Sequence, residues 1–170
     1  MRARRNLAVA LAVGLASAGL AGCGFTPLYG DPSVVSNLAA IDIVASEGRT
    51  GYLIRQHLDD AFAKNRGAAP AYRMDVSVAE ARYPRGVRID NVATRYEYVL
   101  EATYRLTSLP SGAQAKRGRV RVALTYDSAD QPYASIAAQQ DAQDRAASEA
   151  ARRIQLELAV WLAGENRTGA

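Results

Sequence analysis

One thiol and one imidazole bound the chemistry this 170-residue chain can perform by itself. Cys23 is the sole cysteine and His57 the sole histidine. A single imidazole cannot build a histidine-based metal cluster or a Ser–His–Asp relay within one chain. His57 lies between Gln56 and Leu58 in a helical pattern and reads as a helix-surface or boundary residue. The acidic pairs Asp59-Asp60 and Asp141/Asp144 fall on predicted helix surfaces and read as solvated charge. No glycine-rich loop follows a strand at the spacing of a phosphate cradle. The expectation is a protein without catalysis, cofactor or metal, and a hydrolase would need a nucleophile–base pair that the sequence does not offer. Two basic groups remain as candidate binding chemistry. One is Arg82-Tyr83-Pro84-Arg85-Gly86-Val87-Arg88; the other is Lys116-Arg117-Gly118-Arg119 with Arg121. Arginines beside glycine and proline can grip phosphates through charge-assisted hydrogen bonds, or can simply keep a surface soluble.

Cys23 gains its meaning from what precedes it. Arg2, Arg4 and Arg5 give a cationic start, and residues 7–20 are uncharged and rich in Ala, Leu and Val. That run is shorter than the ~20 residues a membrane-spanning helix needs, and it closes in small residues as a secretory signal does. Leu20-Ala21-Gly22-Cys23 then resembles the lipobox of bacterial lipoproteins. There the cysteine thiol receives diacylglyceryl and the chain is cut just before it. Small residues at 21 and 22 admit the peptidase, and a thiol supplies the soft nucleophile. Residues 1–22 therefore read as a cleaved signal peptide, and residues 23–37 as a lipidated start and tether. More than one acyl chain anchors stably where one holds marginally. Gly24 stands where an aspartate would resemble an inner-membrane retention signal, which favours the periplasmic side of the outer membrane.

Cleavage changes the charge. Lys and Arg number 21 and Asp and Glu 17 in the whole chain, but three of the arginines leave with the signal and no acid does, so the remainder is nearly neutral. A nucleic-acid-binding reading loses its main support. No second cysteine exists to form a disulfide, so the exported part is held by its core alone. Its 148 residues suffice for one core.

The pattern supplies the elements. Residues 25–36 carry Pro27, Gly30 and Asp31-Pro32 and read as irregular. A strand is expected over 38–44, then a helix from an N-cap at Thr50 to about Arg66, with Ile54, Leu58, Ala61 and Phe62 on one stripe. Three strands follow. Tyr72, Met74, Val76 and Val78 alternate with polar or small residues, as do Tyr96, Tyr98, Leu100, Ala102, Tyr104 and Leu106, and then Val120, Val122, Leu124 and Tyr126. Residues 82–88 read as the connection between the second and third strands. Leu109-Pro110-Ser111-Gly112 has the composition of a type I turn. The third strand is long, so either a bulge divides it or its hairpin projects beyond the helices. A final helix is expected over 134–162, with residues 164–170 as a frayed tail. The fold class is α+β: a two-layer sandwich with two helices on one face of a four-stranded mixed β-sheet, forming one domain over 38–163. The tyrosines read as core with hydroxyls at its margin, or less simply as an acyl-chain groove. The other sheet face presents Arg95, Glu97, Glu101, Arg105, Arg119 and Arg121.

Cys23-Gly24-Phe25-Thr26-Pro27-Leu28-Tyr29-Gly30 resembles the start of the LptE family, lipoprotein partners of the lipopolysaccharide-assembly barrel LptD. The element order and the long last helix, with Tyr133-Ala134 and Gln139-Gln140-Asp141-Ala142 near its start, resemble it too. The resemblance implies a plug within the barrel, needed for barrel assembly and touching lipopolysaccharide during its insertion in the outer leaflet. By position it makes Arg85 and Arg88, then Lys116 and Arg117, the candidate lipopolysaccharide contacts, and the six charged sheet residues the barrel-facing ones. Residues 135–143 contain no lysine or arginine, so no basic contact is expected there. The alternative is an auxiliary lipoprotein of an ABC-type phospholipid transporter.

Overall fold

A computed structural model describes residues 32–63, 67, 69–87, 89, 93–128 and 131–168. The signal peptide, Cys23 and Arg88 lie outside the described residues. The order is α1 (Pro32–Ala39), β1 (Ile41–Ala45), α2 (Arg49–Ala61), β2 (Tyr72–Val87), β3 (Ala93–Ser108), β4 (Gln114–Asp127) and α3 (Pro132–Thr168). The strands form one sheet in sequence order, with β1 parallel to β2 and the other pairs antiparallel. The expected α+β sandwich on a four-stranded mixed sheet is therefore present, with three helices where two were expected.

The extra helix replaces the last part of the expected tether. Pro32 stands at the first helical position, where its missing N–H costs nothing, and Val34 and Leu38 are buried four residues apart. Ile41 then starts β1 three residues later than the alternation suggests. At the next junction Gly48 occupies the N-cap position with φ 96°, so Thr50 is the second residue of α2 and not its cap. The Ser46 N–H continues the sheet by donating to the Val76 carbonyl at 2.9 Å, and the Ser46 Oγ accepts from Val78 N–H at 3.3 Å. The start of α2 presses so closely on this corner that a Cβ on Gly51 would sit 1.9 Å from the Ser46 carbonyl oxygen. The helix ends at Ala61, a turn short of expectation, and Gln155 Nε2 of α3 donates to the Ala61 carbonyl at 2.6 Å. One of the carbonyls that a helix end orphans is thereby satisfied.

The largest departure is β2. The Arg82–Arg88 stretch has the composition of a connection, yet the strand runs through it to Val87, paired with β3 to Val87↔Ala93. Proline is tolerated in edge strands because it removes only a donor. Past Val76, β2 has no β1 partner, since β1 stops at Ala45, so Pro84 lies on such an edge. β3 is continuous over 16 residues, with one register irregularity at Leu106/Thr107 near its end. No bulge divides it. The helix lengthens instead, since α3 has 37 residues and spans ~55 Å at 1.5 Å per residue, matching a strand of about 50 Å.

The inner sheet face carries the core: Ile41, Ile43, Met74, Val76, Tyr98, Leu100, Ala102, Tyr104, Leu106, Val120 and Val122. Facing it, α3 buries mostly alanines, at 142, 146, 147, 150, 151 and 159, with Ile154, Leu158 and Leu162. The tyrosine hydroxyls end at this core's margin, as expected. Tyr98 donates to Glu80 Oε2 at 2.6 Å and Tyr104 to Glu157 Oε2 at 2.7 Å. Tyr96 and Tyr126 stack at 5.7 Å, and Tyr72 meets Trp161 edge-on at 6.1 Å. Glu80 Oε2 also accepts from Thr50 Oγ1 at 3.0 Å and Gln143 Nε2 at 3.3 Å. That one carboxylate oxygen joins α2, β2, β3 and α3. His57 does more than occupy a helix surface: its Nε2 lies 3.0 Å from Asp144 Oδ1 and links α2 to α3.

Two outcomes follow from this packing. A Cβ on Gly118 would lie 2.4–2.6 Å from the hydroxyl and ring of the fully buried Tyr104. Gly118→Ala should therefore destabilise by about 1–3 kcal/mol, read as a lower denaturant midpoint. Burial first, and then hydrogen bonds to Glu80 and Glu157, raise Tyr98 and Tyr104 above the ordinary phenol range. Both bonds are therefore intact below the unfolded-state phenol value, and their contribution is lost as the pH climbs from there through the higher folded-state value. A spectrophotometric titration should show two late tyrosines whose ionisation coincides with unfolding; all nine tyrosines titrating together at the ordinary phenol value would contradict it.

Candidate functional site

The three helices lie on the inner face, so the outer face of the sheet is left bare of other described elements. The registers arrange its side chains in rows across the strands. From the β1 end these are Asp42–Arg73–Thr107, Val44–Asp75–Arg105–Arg117, Ser77–Thr103–Arg119, Ala79–Glu101–Arg121, Ala81–Val99–Ala123, Tyr83–Glu97–Thr125 and Arg85–Arg95–Asp127. The six residues expected to face outward, Arg95, Glu97, Glu101, Arg105, Arg119 and Arg121, all lie on this face.

Its charges are largely paired. Arg85 Nη2 reaches Glu97 Oε2 at 2.5 Å, Arg95 Nε donates to Asp127 Oδ1 at 2.8 Å, Arg73 Nε donates to Asp75 Oδ1 at 3.1 Å, and Arg119 Nη1 lies 3.5 Å from Glu101 Oε1. The Asp127 bond holds the Arg95 guanidinium above its ordinary pKa. Exposed pairs of this kind contribute ~0–1 kcal/mol each; their effect is to fix where charge sits, not to hold the fold. Between the two charged ends lies a row of small apolar residues. Val99 is only 7 % exposed although it is outside the core, because longer neighbouring side chains screen it.

The sequence-derived contact candidates do not form one cluster. Arg85 lies at the hairpin end of the outer face and is committed to Glu97. Arg117 lies at the β1 end, about 30 Å away by strand rise. Lys116 and Arg117, grouped by sequence, point to opposite faces because successive strand side chains alternate. Lys116 pairs with inward Leu106, and Arg117 with outward Arg105. Arg82 likewise faces inward. Its guanidinium sits 4.9 Å over the Tyr96 ring and donates to Gln139 Oε1 at 2.6 Å, beside a notch of about 160 Å³ lined by Glu80, Arg82, Tyr98, Gln139 and Gln143. Sequence reasoning misses Glu80 and Arg82 as inner-face residues. The signal is the even-numbered parity of β2, continued two positions beyond Val78.

The outer face is concave where β1 joins it. A depression of about 510 Å³ there is lined by Val44, Ser46, Asp75, Ser77, Thr103, Arg105 and Arg117, with backbone of their neighbours. Among the described residues no group of acidic, His or Cys side chains is arranged to hold a metal, and no helix is long and apolar enough to cross a membrane. What the surface offers is multivalent polar contact.

Comparison with known proteins gives a consistent result. The chain resembles the crystal structure of a candidate lipoprotein from Caulobacter crescentus with 54% identity and a TM-score of 0.69, covering 78% of this chain and 98% of that one. The rare lipoprotein B of Shewanella oneidensis shares the fold at 13% identity and TM-score 0.56, over 76% of this chain and 98% of that chain. Lipoprotein B of Nitrosomonas europaea shares it at 14% and 0.55, over 72% and 83%. No curated protein matches significantly. The family model for LptE, described as lipopolysaccharide assembly, matches residues 38–158, which run from the end of α1 through most of α3, and this chain belongs to the LptE family of lipopolysaccharide-assembly lipoproteins.

Proposed function

We propose that this protein is a non-catalytic outer-membrane lipoprotein, anchored through acyl chains on Cys23 at the periplasmic side. In this reading it plugs an LptD-like β-barrel, assists its assembly and helps insert lipopolysaccharide into the outer leaflet. The observation that carries the proposal is the division of the sheet: three helices cover one face, and the other is left open, polar and mostly charge-paired. Wide barrels have polar interiors, so a charged, hydrogen-bonding surface suits a lumen and does not suit lipid. The size is also appropriate. Three long strands about 4.8 Å apart and about 50 Å long present roughly 700 Å², near the ~800 Å² that each partner contributes to a stable interface.

Such a face also has to stay unpaired until its partner arrives. Open sheet edges invite other strands, and here β4 and the part of β2 that runs past β1 are each interrupted. Arg153 Nη1 of α3 donates to the Arg121 carbonyl on β4 at 3.0 Å, and Pro84 interrupts the free edge of β2. The lipopolysaccharide contacts are assigned to the outward arginines, with Arg85 and Arg117 at opposite ends of the face. Lys116 would act only from the inner side, and Arg88 is the remaining candidate.

Photoreactive residues placed at Glu97, Glu101 and Thr125 should cross-link to the barrel in cells, whereas Ser148 and Arg152 on the outside of α3 should not. Depletion should lower surface lipopolysaccharide together with mature barrel. Cys23→Ala should move the chain to the soluble periplasmic fraction without changing the domain's thermal midpoint. Normal barrel maturation and normal surface lipopolysaccharide after deletion would end this proposal.

A further inference from the structure

We propose that β4 takes up an extended, acidic segment of a partner protein as a fifth strand of the sheet. The proposal goes beyond the reading above, because it concerns the edge of the sheet and holds whether or not the chain sits in a barrel. It starts from which backbone groups are free. In an antiparallel pair, residues alternate between those that exchange hydrogen bonds with the neighbouring strand and those whose N–H and C=O point away from it. The Ser128 N–H, one residue past β4, donates to the Thr94 carbonyl of β3 at 2.9 Å, so the even-numbered residues of β4 bond to β3. The Arg121 carbonyl, which meets Arg153 of α3, points the other way. Arg117, Arg119, Arg121, Ala123 and Thr125 therefore turn their backbone groups to the free side, and all five are exposed. The opposite side of the sheet refuses a strand. There β1 offers only five residues, and beyond it the Val78 N–H is taken by Ser46 Oγ. The even-numbered residues of β2 face that side, as the Ser46–Val76 bond shows, so the donor that Pro84 lacks is missing from the edge itself. By contrast, β4 runs 14 residues without a proline. Among the described residues its edge is obstructed only by Arg153, which Glu149 holds at 2.7 Å and whose side chain is 47% exposed. A side chain so placed can swing aside, as a proline cannot.

The side chains along this edge name the occupant. Among the described residues Arg117 and Arg121 have no ion-pair partner, and Arg119 has Glu101 at 3.5 Å. A strand paired with these residues sets every second side chain beside them on the outer face. Opposite charges stabilise such cross-strand neighbours and like charges destabilise them, so the segment is acidic at alternate positions. Its intervening side chains turn inward, toward the flank of α3. There Leu156 and Val160 follow Arg153 by three and seven residues, on the same helical stripe, and are 36% and 58% exposed. Apolar residues at the intervening positions cover them. Main-chain bonds to a free edge with side-chain selection on both faces is the general chemistry of strand addition. A second copy of this chain fits less well, since antiparallel pairing of two copies along residues 117–121 sets arginine against arginine.

The test is a titration of the purified chain at low salt with a short capped peptide alternating glutamate with valine, followed by amide NMR and hydrogen exchange. The amides of Arg119, Arg121, Ala123 and Thr125 should shift and exchange more slowly, while those of Val120 and Val122, already bonded to β3, keep their exchange rates. The same peptide N-methylated along its backbone keeps its charge and loses its strand donors, and a version with lysine for glutamate does the reverse. Each should bind about tenfold more weakly or not at all. Ala123→Pro removes an edge donor without breaking a bond to β3, and should weaken the parent peptide about tenfold at an unchanged thermal midpoint. Arg153→Met, which frees the Arg121 carbonyl, should tighten it. Equal binding of the N-methylated peptide would overturn strand addition, and equal binding of the lysine peptide the acidic occupant. Slow exchange of the same amides without peptide, growing with protein concentration, would overturn the proposal in favour of a second copy. If Ala123→Pro lowers the thermal midpoint, the N-methylated peptide decides alone. Failure of the parent protein to co-purify a barrel would count against the proposed function and leave the titration untouched.

Discussion

The structure depends on one close approach: an alanine-lined helix lying along a tyrosine-bearing sheet. Helix α3 buries small residues at most of its inward positions, which lets its backbone come near the strands while Tyr98, Tyr104, Tyr126 and Leu100 fill the space from the other side. Alternating large and small residues across facing positions is how interiors reach crystal-like density. The fit is tight enough that β4 must omit a side chain at Gly118 for Tyr104 to pass beneath it and reach Glu157. With no disulfide available, this contact and the packing of α1 and α2 against α3 supply the cohesion of the domain.

That arrangement also accounts for where function can reside. A helix of about 37 residues on one face frees the whole of the other, and it needs the long strands because only they can offer it a bed of matching length. The polar junction around Glu80 marks the place where α2 begins and the inner face changes from doubly to singly covered. Beyond it, Arg82 stacks on Tyr96 and binds Gln139, which covers part of the inner face with polar side chains.

Most of the architecture is legible in the sequence because period two and period 3.6 are hard to confuse over long segments. The inward set of β3, from Tyr96 to Leu106, and the α3 stripe follow correctly from spacing. The departures have local causes. Pro84 and Gly86 carry turn signals that outweigh continued alternation, since a sequence does not show that β1 is only five residues long and leaves its neighbour an open edge. Thr50 has a good capping side chain, but Gly48, with its positive φ, takes the turn and Thr50 is drawn to Glu80 instead. Pro32 opens a helix where Asp31-Pro32 suggests a bend. Lys116 and Arg117 look like one basic cluster only while adjacency in sequence stands for adjacency in space, which a strand reverses at every step.

The outer face shows what a weakly held charge pattern does for an uncovered sheet. Exposed ion pairs add little to folding, so exchanging them for partner groups costs little in stability. Before that exchange they matter in another way. Arg85 with Glu97, Arg95 with Asp127 and Arg119 with Glu101 keep the sheet close to neutral locally and hydrated, which discourages pairing between copies of the chain. The paired end can rearrange onto a surface of either sign, because each arginine brings its own acid. The Arg105–Arg117 end differs, since neither of its two facing arginines has an ion-pair partner among the described residues. The same sheet face thus combines arginines that carry their own acids with a facing pair that does not, and the difference comes down to whether the acids beside the arginines are already engaged.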